Sequence, residues 1–341
     1  MSMNMNVYRG MLGQLEAWLE RIERPPVITL TTDFGHYDGY VGTMKGVIHT
    51  LVPDAKVVDI SHEIGPQQIQ EGAFIIYRAY RYFPAAAVHV AVVDPGVGSE
   101  RRPIALSTRH GIFVGPDNGI FTYVLRAEMT PAEDHEVLSG PAWAGGMWGV
   151  APNWAGDEPK GKRRRVGFEE GEPDAPRAYH LSNSDFWLPN VSSTFHGRDI
   201  FAPVAAHLAS GAHPERVGQR IGLDSLVTLP IGAPRVHRVG KTATVVGQIV
   251  HLDRFGNIIT NLPERLLAPL LEGAPSTVVE VAGHSITGLG SAYTDVGEGE
   301  PVAMFGSERL LEVAVRNANA AHRMKVRVGD PVRIVITRDE Q

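Results

Sequence analysis

The sequence predicts an α/β protein in two parts: an N-terminal, mostly parallel sheet with helices on both faces, then a smaller C-terminal antiparallel β domain. Three observations carry that expectation. Between Val27 and about Leu125, short apolar runs alternate with segments of helical periodicity, the pattern of strands wound with crossover helices. Beyond about Val236, only short strand-like runs between glycine-rich turns remain. Polar residues also follow successive strands, at Asp33, at Asp59 with His62, and at Asp94. In a parallel sheet those three loops open on one edge, where open α/β sheets hold their ligands.

Residues 1–26 read as a short amphipathic helical extension, stopped by Pro25 and Pro26 and lacking the hydrophobic core of a signal peptide. An α/β catalytic domain is expected over 27–232. There "VITLT" is a strand, followed by the loop "TDFGHYDG" and a helix around "YVGTMKGVIHTLV". "KVVDI" is the second strand, and "IQEGAFIIYRAYRYF" is a helix with one apolar face. "VHVAVV" is the third strand, with two more at "IALST" and "IFVG"; "PDNG" (Pro116 to Gly119) reads as a turn and helix start. From about Thr130 to Pro189 regularity fails, and residues 141–185 read as an irregular surface insertion. Order returns at "STFHGRDIFAPVAAHLASG", where "RDIFAPVAAHLA" has helical spacing and Gly211 is a stop. A proline-containing linker, Leu229 to Val236, leads into the β domain at 233–341. Its strands are "TATVVGQIVHL", "STVVEVAG", "PVAMFG", "LLEVAV" and "PVRIVIT".

Composition narrows the function classes. A chain of 341 residues has room for about two domains. Its 43% hydrophobic and 21% charged residues are those of an ordinary globular protein, and a net charge of −6 argues against a general nucleic-acid or membrane binder. The one basic cluster, "KGKRRR" (Lys160 to Arg165), is followed by "FEEGE" and reads as a solvated loop. With no cysteine there is neither a disulfide nor a thiolate zinc site, which is compatible with a cytoplasmic protein. No apolar segment reaches the ~18 residues of a membrane span.

The chemistry concentrates in a few stretches. In "DPGVGSERR" a carboxylate, Asp94, stands at the end of a buried strand, and Arg101 follows seven residues later. A tight loop can fold the arginine back onto the carboxylate, where it would keep it ionised; taken alone, the pair reads first as a structural ion pair stapling the loop. "TDFG" places Asp33 after the first strand, where a carboxylate commonly takes ribose hydroxyls. "TFHGRD" sets His196 just ahead of a helix, and "DRFGN" offers Asp253 and Asn257 around a turn; an Asn amide suits a purine edge, presenting both donor and acceptor. There is no phosphate-binding loop, no G-x-G-x-x-G and no G-x-S-x-G. Asp33, Asp59, His62, Asp94, His196 and Asp199 offer metal-ligand chemistry in principle, but their spacing matches no strong metal motif, so no metal is expected.

Taken in order, "LTTDFG", "YVGTMKGVI", "VVDISHEI", "VVDPGVGSERR", "PDNGIF", "STFHGRDIFAPVAAHLA" and "DRFGN" resemble the S-adenosyl-L-methionine hydroxide adenosyltransferases, hydrolase relatives of the fluorinating and chlorinating enzymes. The resemblance runs from about Val27 to Thr337, apart from the insertion. It implies displacement at C5′ of S-adenosylmethionine by water, giving adenosine and L-methionine, with no cofactor. It also implies that Asp94, Arg101 and His196 hold the nucleophile and that Asp33 binds the ribose. Asn257 would read adenine with the backbone near Arg316 and Asn317, while Asp253 and Ser307 would take the methionine amine and carboxylate. The assembly implied is a homotrimer with active sites at subunit interfaces. The halogenating relatives do not keep the Asp–Arg–His set; its presence here favours water over halide. The alternatives are a halide-dependent 5′-halogenase, a metal-dependent hydrolase, and a non-catalytic S-adenosylmethionine or adenosine-binding protein.

Overall fold

The structure, a computed structural model, describes residues 25–129 and 175–338. The expected N-terminal helix, except its last two residues, and most of the expected insertion lie outside the described residues. What is described divides into two compact units, residues 25–129 with 175–229, and residues 230–338.

The first unit is built on a seven-stranded sheet of order β2-β1-β3-β5-β4-β6-β7. Its strands are β1 (Val27–Thr32), β2 (Lys56–Ser61), β3 (Val88–Val92), β4 (Pro103–Thr108), β5 (Gly111–Pro116), β6 (Arg177–His180) and β7 (Gln219–Ile221). Strands β2, β1, β3 and β5 run parallel. β4 turns back against β5 in a hairpin, β6 pairs antiparallel with β4, and β7 antiparallel with β6. The sheet is therefore mixed, with β6 returning to the direction of the parallel set. Every residue of β3 and β5 is buried, as befits strands covered on both faces.

The helices divide between those faces. On α1 (Tyr40–Leu51), Val41, Met44 and Ile48 recur at helical spacing. They pack with α4 (Ala202–Ala209) onto Ile28, Leu30, Val88 and Val90. On the other face, Ala73 and Ile76 of α2 (Ile69–Ala79) and Val124 and Leu125 of α3 (Thr122–Met129) cover Val93, Ile104, Leu106 and Phe113. A single turn, α5 (Pro214–Val217), leads into β7.

One correction concerns the expected insertion at 141–185. Its last part is not irregular: Arg177–His180 is β6, flanked in the sheet by β4 and β7. Four residues reading "RAYH" show no apolar alternation, and the strand is defined by its neighbours alone.

The second unit is an antiparallel sheet of order β12-β11-β15-β9-β10-β14-β13, with β8 also paired to β9. The strands are β8 (Arg235–Val239), β9 (Thr242–Leu252), β10 (Ile258–Pro263), β11 (Ser276–Val281), β12 (His284–Thr287), β13 (Pro301–Phe305), β14 (Leu310–Val315) and β15 (Pro331–Thr337). The long β9 pairs with β15 along 242–248 and with β10 along 249–252. Val245, Ile249, Ile258, Val279, Leu311, Val313 and Ile334 form its core, closed by Leu267 of α6 (Glu264–Leu271). Strands β8, β10 and β12 were not expected from sequence; β8 is exposed at every residue and so carries no burial pattern.

Within the first core His89 is fully buried in β3. Its Nδ1 lies 2.8 Å from Thr29 Oγ1, its ring stacks on Phe113 at 4.9 Å, and its Nε2 has no hydrogen-bond partner among the described residues. Burial pushes this imidazole from its ordinary 6.5 down to about 3. Between those values the unfolded chain takes up a proton that the native state refuses, so stability is lost as pH falls through that window. His89→Gln removes that proton. We expect its stability, from urea unfolding followed by circular dichroism, to depend less steeply on pH between about 6 and 4, by up to about 1.4 kcal/mol per pH unit. An unchanged slope would show that His89 is not the group responsible.

Candidate functional site

The register of the parallel strands gathers three loops. Thr31 pairs with Ser61 and Thr32 with Val92, so the chain leaves β1, β2 and β3 at one level of the sheet's carboxyl edge. Asp33, His62 and Asp94 follow directly.

After β3 the chain reverses through two successive turns. Val97 N–H donates to Asp94 O at 3.1 Å and Ser99 N–H to Gly96 O at 3.1 Å, with Ser99 Oγ donating to the same Gly96 carbonyl at 2.6 Å. Arg101 is thereby brought back onto Asp94. Its Nε donates to both carboxylate oxygens at 3.0 Å, and its Nη2 donates to Oδ2 at 2.5 Å. The side chains are 9% and 5% exposed, and the guanidinium lies 5.3 Å from the Phe201 ring centroid, so the charge is held by carboxylate and π-face together.

His196 comes from a second loop. Asp199 fastens it, accepting from Ser192 N–H at 2.8 Å and from Arg198 Nε at 2.5 Å. The chain then enters α4 through one π-helical turn, Gly197–Phe201. Pro203 explains part of that turn. Lacking an N–H, it leaves the Asp199 carbonyl without its helical donor, and Leu188 N–H fills the vacancy at 2.8 Å.

The two loops meet at Gly98, whose φ is +77°; a Cβ there would lie 2.4 Å from Ser193 O. Only glycine satisfies both the conformation and the approach. Across this junction Arg101 Nη2 donates to His196 Nδ1 at 2.6 Å. A guanidinium is donor-only, so His196 Nδ1 is the acceptor and Nε2 carries the ring proton. Burial, and next the Arg101 charge, hold the His196 pKa below the ordinary histidine value. The site thus presents a carboxylate and a neutral imidazole N–H, both tied to one arginine.

Asp33 stands one loop away. Its Oδ2 accepts from Gln67 N–H at 2.8 Å, and Gln67 itself is held at a φ of 65°. The six candidate metal-ligating side chains do not converge. Asp59 pairs with Lys45 and His62, Asp199 with Arg198, and Asp94 with Arg101; among the described residues no three His, Asp or Glu side chains form a metal-binding group.

The remaining candidates lie in the second unit. Asp253 and Asn257 close a turn on themselves. Asp253 Oδ1 accepts from Phe255 N–H at 2.9 Å and Asn257 N–H at 2.8 Å, and Asn257 Nδ2 donates to Asp253 Oδ2 at 2.9 Å. Gly256 at the turn's tip abuts the Asn319 side chain, and its carbonyl accepts from Ala321 N–H of α7 (Ala320–Met324) at 2.9 Å. The structure therefore brings "DRFGN" beside the segment holding Arg316 and Asn317. Arg316 is committed elsewhere: its N–H donates to Glu300 O, its carbonyl accepts from Gly299 N–H, and its Nη1 donates to Val296 O at 2.7 Å. Asn317 sits at a φ of 56°. Ser307 is exposed in the turn between β13 and β14, whose Glu312 accepts from Tyr293 Oη at 2.7 Å. Sequence reasoning missed Gly98, Gln67, Phe201 and Asn319. The glycine-rich spacing of "DPGVGS" was a usable signal for the first; nothing in the sequence points to the others.

Comparison with known proteins identifies the family. The SAM hydroxide adenosyltransferase N-terminal domain matches residues 28–140 and 167–218, and the C-terminal domain of the same description matches 247–333. The (R)-S-adenosyl-L-methionine hydrolase of Thermus thermophilus is 36% identical over 91% of this chain and 99% of its own length. The corresponding hydrolase of Salinispora tropica is 34% identical over 91% and 97%. A fluorinase of Nocardia brasiliensis is more distant, at 27% identity over 92% and 98%. Among solved structures, an uncharacterized conserved protein from Thermotoga maritima superposes with a TM-score of 0.70 at 30% identity, covering 90% of this chain and 99% of that one. With both domains matched over more than half of its length, the chain belongs to the SAM hydroxide adenosyltransferase family.

Proposed function

We propose that this protein hydrolyses S-adenosyl-L-methionine, with water or hydroxide attacking C5′ to give adenosine and L-methionine. The observation that carries the reading is the Arg101 guanidinium joined to both Asp94 and His196. A lone pair of the water oxygen forms the bond to C5′ as the C5′–S bond breaks, and the electron pair of that broken bond stays on sulfur and neutralises the sulfonium. The leaving group is a neutral thioether, so its departure requires no general acid, Lewis acid or redox cofactor. The demand falls on water. His196 Nε2–H donates to the water oxygen and orients it, while Asp94 accepts the proton and passes it to solvent.

The substrate contacts belong to the same reading. Asp33 takes a ribose hydroxyl through Oδ1, the oxygen not engaged by Gln67. Asn257 reads the adenine edge with its amide oxygen, beside the backbone around Arg316 and Asn317. Asp253 and Ser307 receive the amino-acid end. Nucleophile and adenine residues fall in different compact units, which accords with the homotrimer, and its sites shared between subunits, that the family resemblance implies; cyclic closure keeps such an assembly finite. Among the described residues no helix is long and apolar enough to cross a membrane, and the cysteine-free chain fits a cytoplasmic location.

Three outcomes are expected. With S-adenosylmethionine and a chelator present, chromatography yields adenosine and methionine in equal amounts; Asp94→Ala and His196→Ala each lower turnover by at least about 10²-fold with little change in KM. Loss of activity on chelation, or a chloride-dependent 5′-chloro product, would refute the hydrolytic assignment. The acid limb of kcat/KM should lie below pH 6.5, because His196 must stay neutral and its pKa is lowered; an inflection above that value contradicts the role given to it. Mixing inactive Asp94→Ala chains with inactive Asn257→Ala chains, then exchanging subunits, should restore activity. Verified exchange with no recovery would rule out sites shared between chains.

A further inference from the structure

The loop carrying Asp33 is held by a group the mechanism does not use. His62 follows β2, its side chain is fully buried, and it contacts the "TDFG" loop twice. Its carbonyl accepts from Gly35 N–H at 2.8 Å, and its Nδ1 lies 2.8 Å from Thr32 Oγ1. Thr32 Oγ1 in turn accepts from Phe34 N–H at 3.2 Å. Asp33 is thus bracketed by two residues whose positions depend on His62.

The direction of these bonds follows from the far side of the ring. Nε2 lies 3.1 Å from Asp59 Oδ1, though imperfectly aligned, and Lys45 Nζ donates to Asp59 Oδ2 at 2.6 Å. An ionised carboxylate only accepts, so the ring proton resides on Nε2 and Nδ1 is left as the acceptor. Thr32 Oγ–H then donates to Nδ1, and its oxygen keeps a lone pair for Phe34 N–H. Burial holds the His62 pKa below its ordinary value against the pull of Asp59, so the ring is neutral and Asp59 acts by orienting it. Carboxylates orient metal-ligating histidines in the same manner.

We propose that His62, oriented by Asp59, is a positioning residue that sets the Asp33 carboxylate for recognition of the ribose hydroxyls, its ring acting through Thr32. The proposal rests on the reading of Asp33 as the ribose-binding residue. It makes discrimination between ribose and 2′-deoxyribose depend on a side chain that never touches the sugar.

The test is equilibrium binding of adenosine and 2′-deoxyadenosine by calorimetry, which is independent of turnover, on the full-length protein and on His62→Leu, His62→Asn, Thr32→Val and the His62→Leu/Thr32→Val double variant. The wild type should prefer adenosine by about tenfold or more, the worth of a hydrogen bond to a charged group. That preference should shrink by at least about threefold in His62→Leu and in the isosteric Thr32→Val, and the double variant should be no worse than either single one. His62→Asn, whose amide oxygen falls near the position of Nδ1, should recover it. If Thr32→Val, folded by circular dichroism, keeps the full preference, or if the two losses add, His62 does not act through Thr32 and the proposal is overturned. If the wild type binds adenosine without preference over the deoxy compound, the ribose reading of Asp33 falls, and the proposal with it.

Discussion

Arg101 is the residue around which the first unit's site is arranged. A guanidinium offers donors and nothing else, so whatever it touches must accept. Asp94 is thereby held as a carboxylate, and His196 is held with its lone pair turned inward and its N–H turned outward. A cation only 9% exposed also needs its neighbours. Among the described residues Asp94 is the carboxylate paired with it, and removing one partner of such a buried pair costs several kcal/mol. The Phe201 face beneath it and the turns from Asp94 to Ser99 are the framework that makes so costly a group tolerable in one place.

The sheet supplies the rest of the order. Parallel pairing of β2, β1 and β3 brings three loop origins to one level, so residues some thirty positions apart in the chain emerge as neighbours. Polar contacts then fix the loops: Ser99 on Gly96 within the Asp94 loop, Gln67 on Asp33 between the loops after β2 and β1, and Asp199 on Ser192 within the loop that carries His196. The second unit uses the same device in its tightest form, where Asp253 and Asn257 satisfy one another before any ligand arrives. Polar groups arranged in advance lose little freedom when a ligand is bound.

Much of this was legible in the sequence. The runs "VITLT", "VHVAVV" and "LLEVAV" are long and apolar enough to announce strands, and Asp94 with Arg101 sit at a separation that a glycine-rich loop closes. β6 and β8 were not legible, the first because four residues carry no period and the second because an exposed edge strand has no buried face. The π-helical turn before α4 escaped for a different reason. Pro203 marks the spot, but whether the freed carbonyl bends the helix or finds a donor elsewhere depends on Leu188, eleven residues away from Asp199 in the chain. The pairing of His62 with Thr32 likewise joins residues thirty apart, through a register no local pattern encodes.

The crowding at Gly98 reaches beyond local geometry. With the Ser193 carbonyl packed where any side chain would begin, the Asp94 loop and the His196 loop are seated against each other as two halves of a joint. They are expected to move together, so thermal motion displaces the arginine bridge as a whole before it stretches it. Such a pair is exchanged between proteins only as a set: a loop of altered length or sequence grafted onto one side would need its mate re-cut to the same surface.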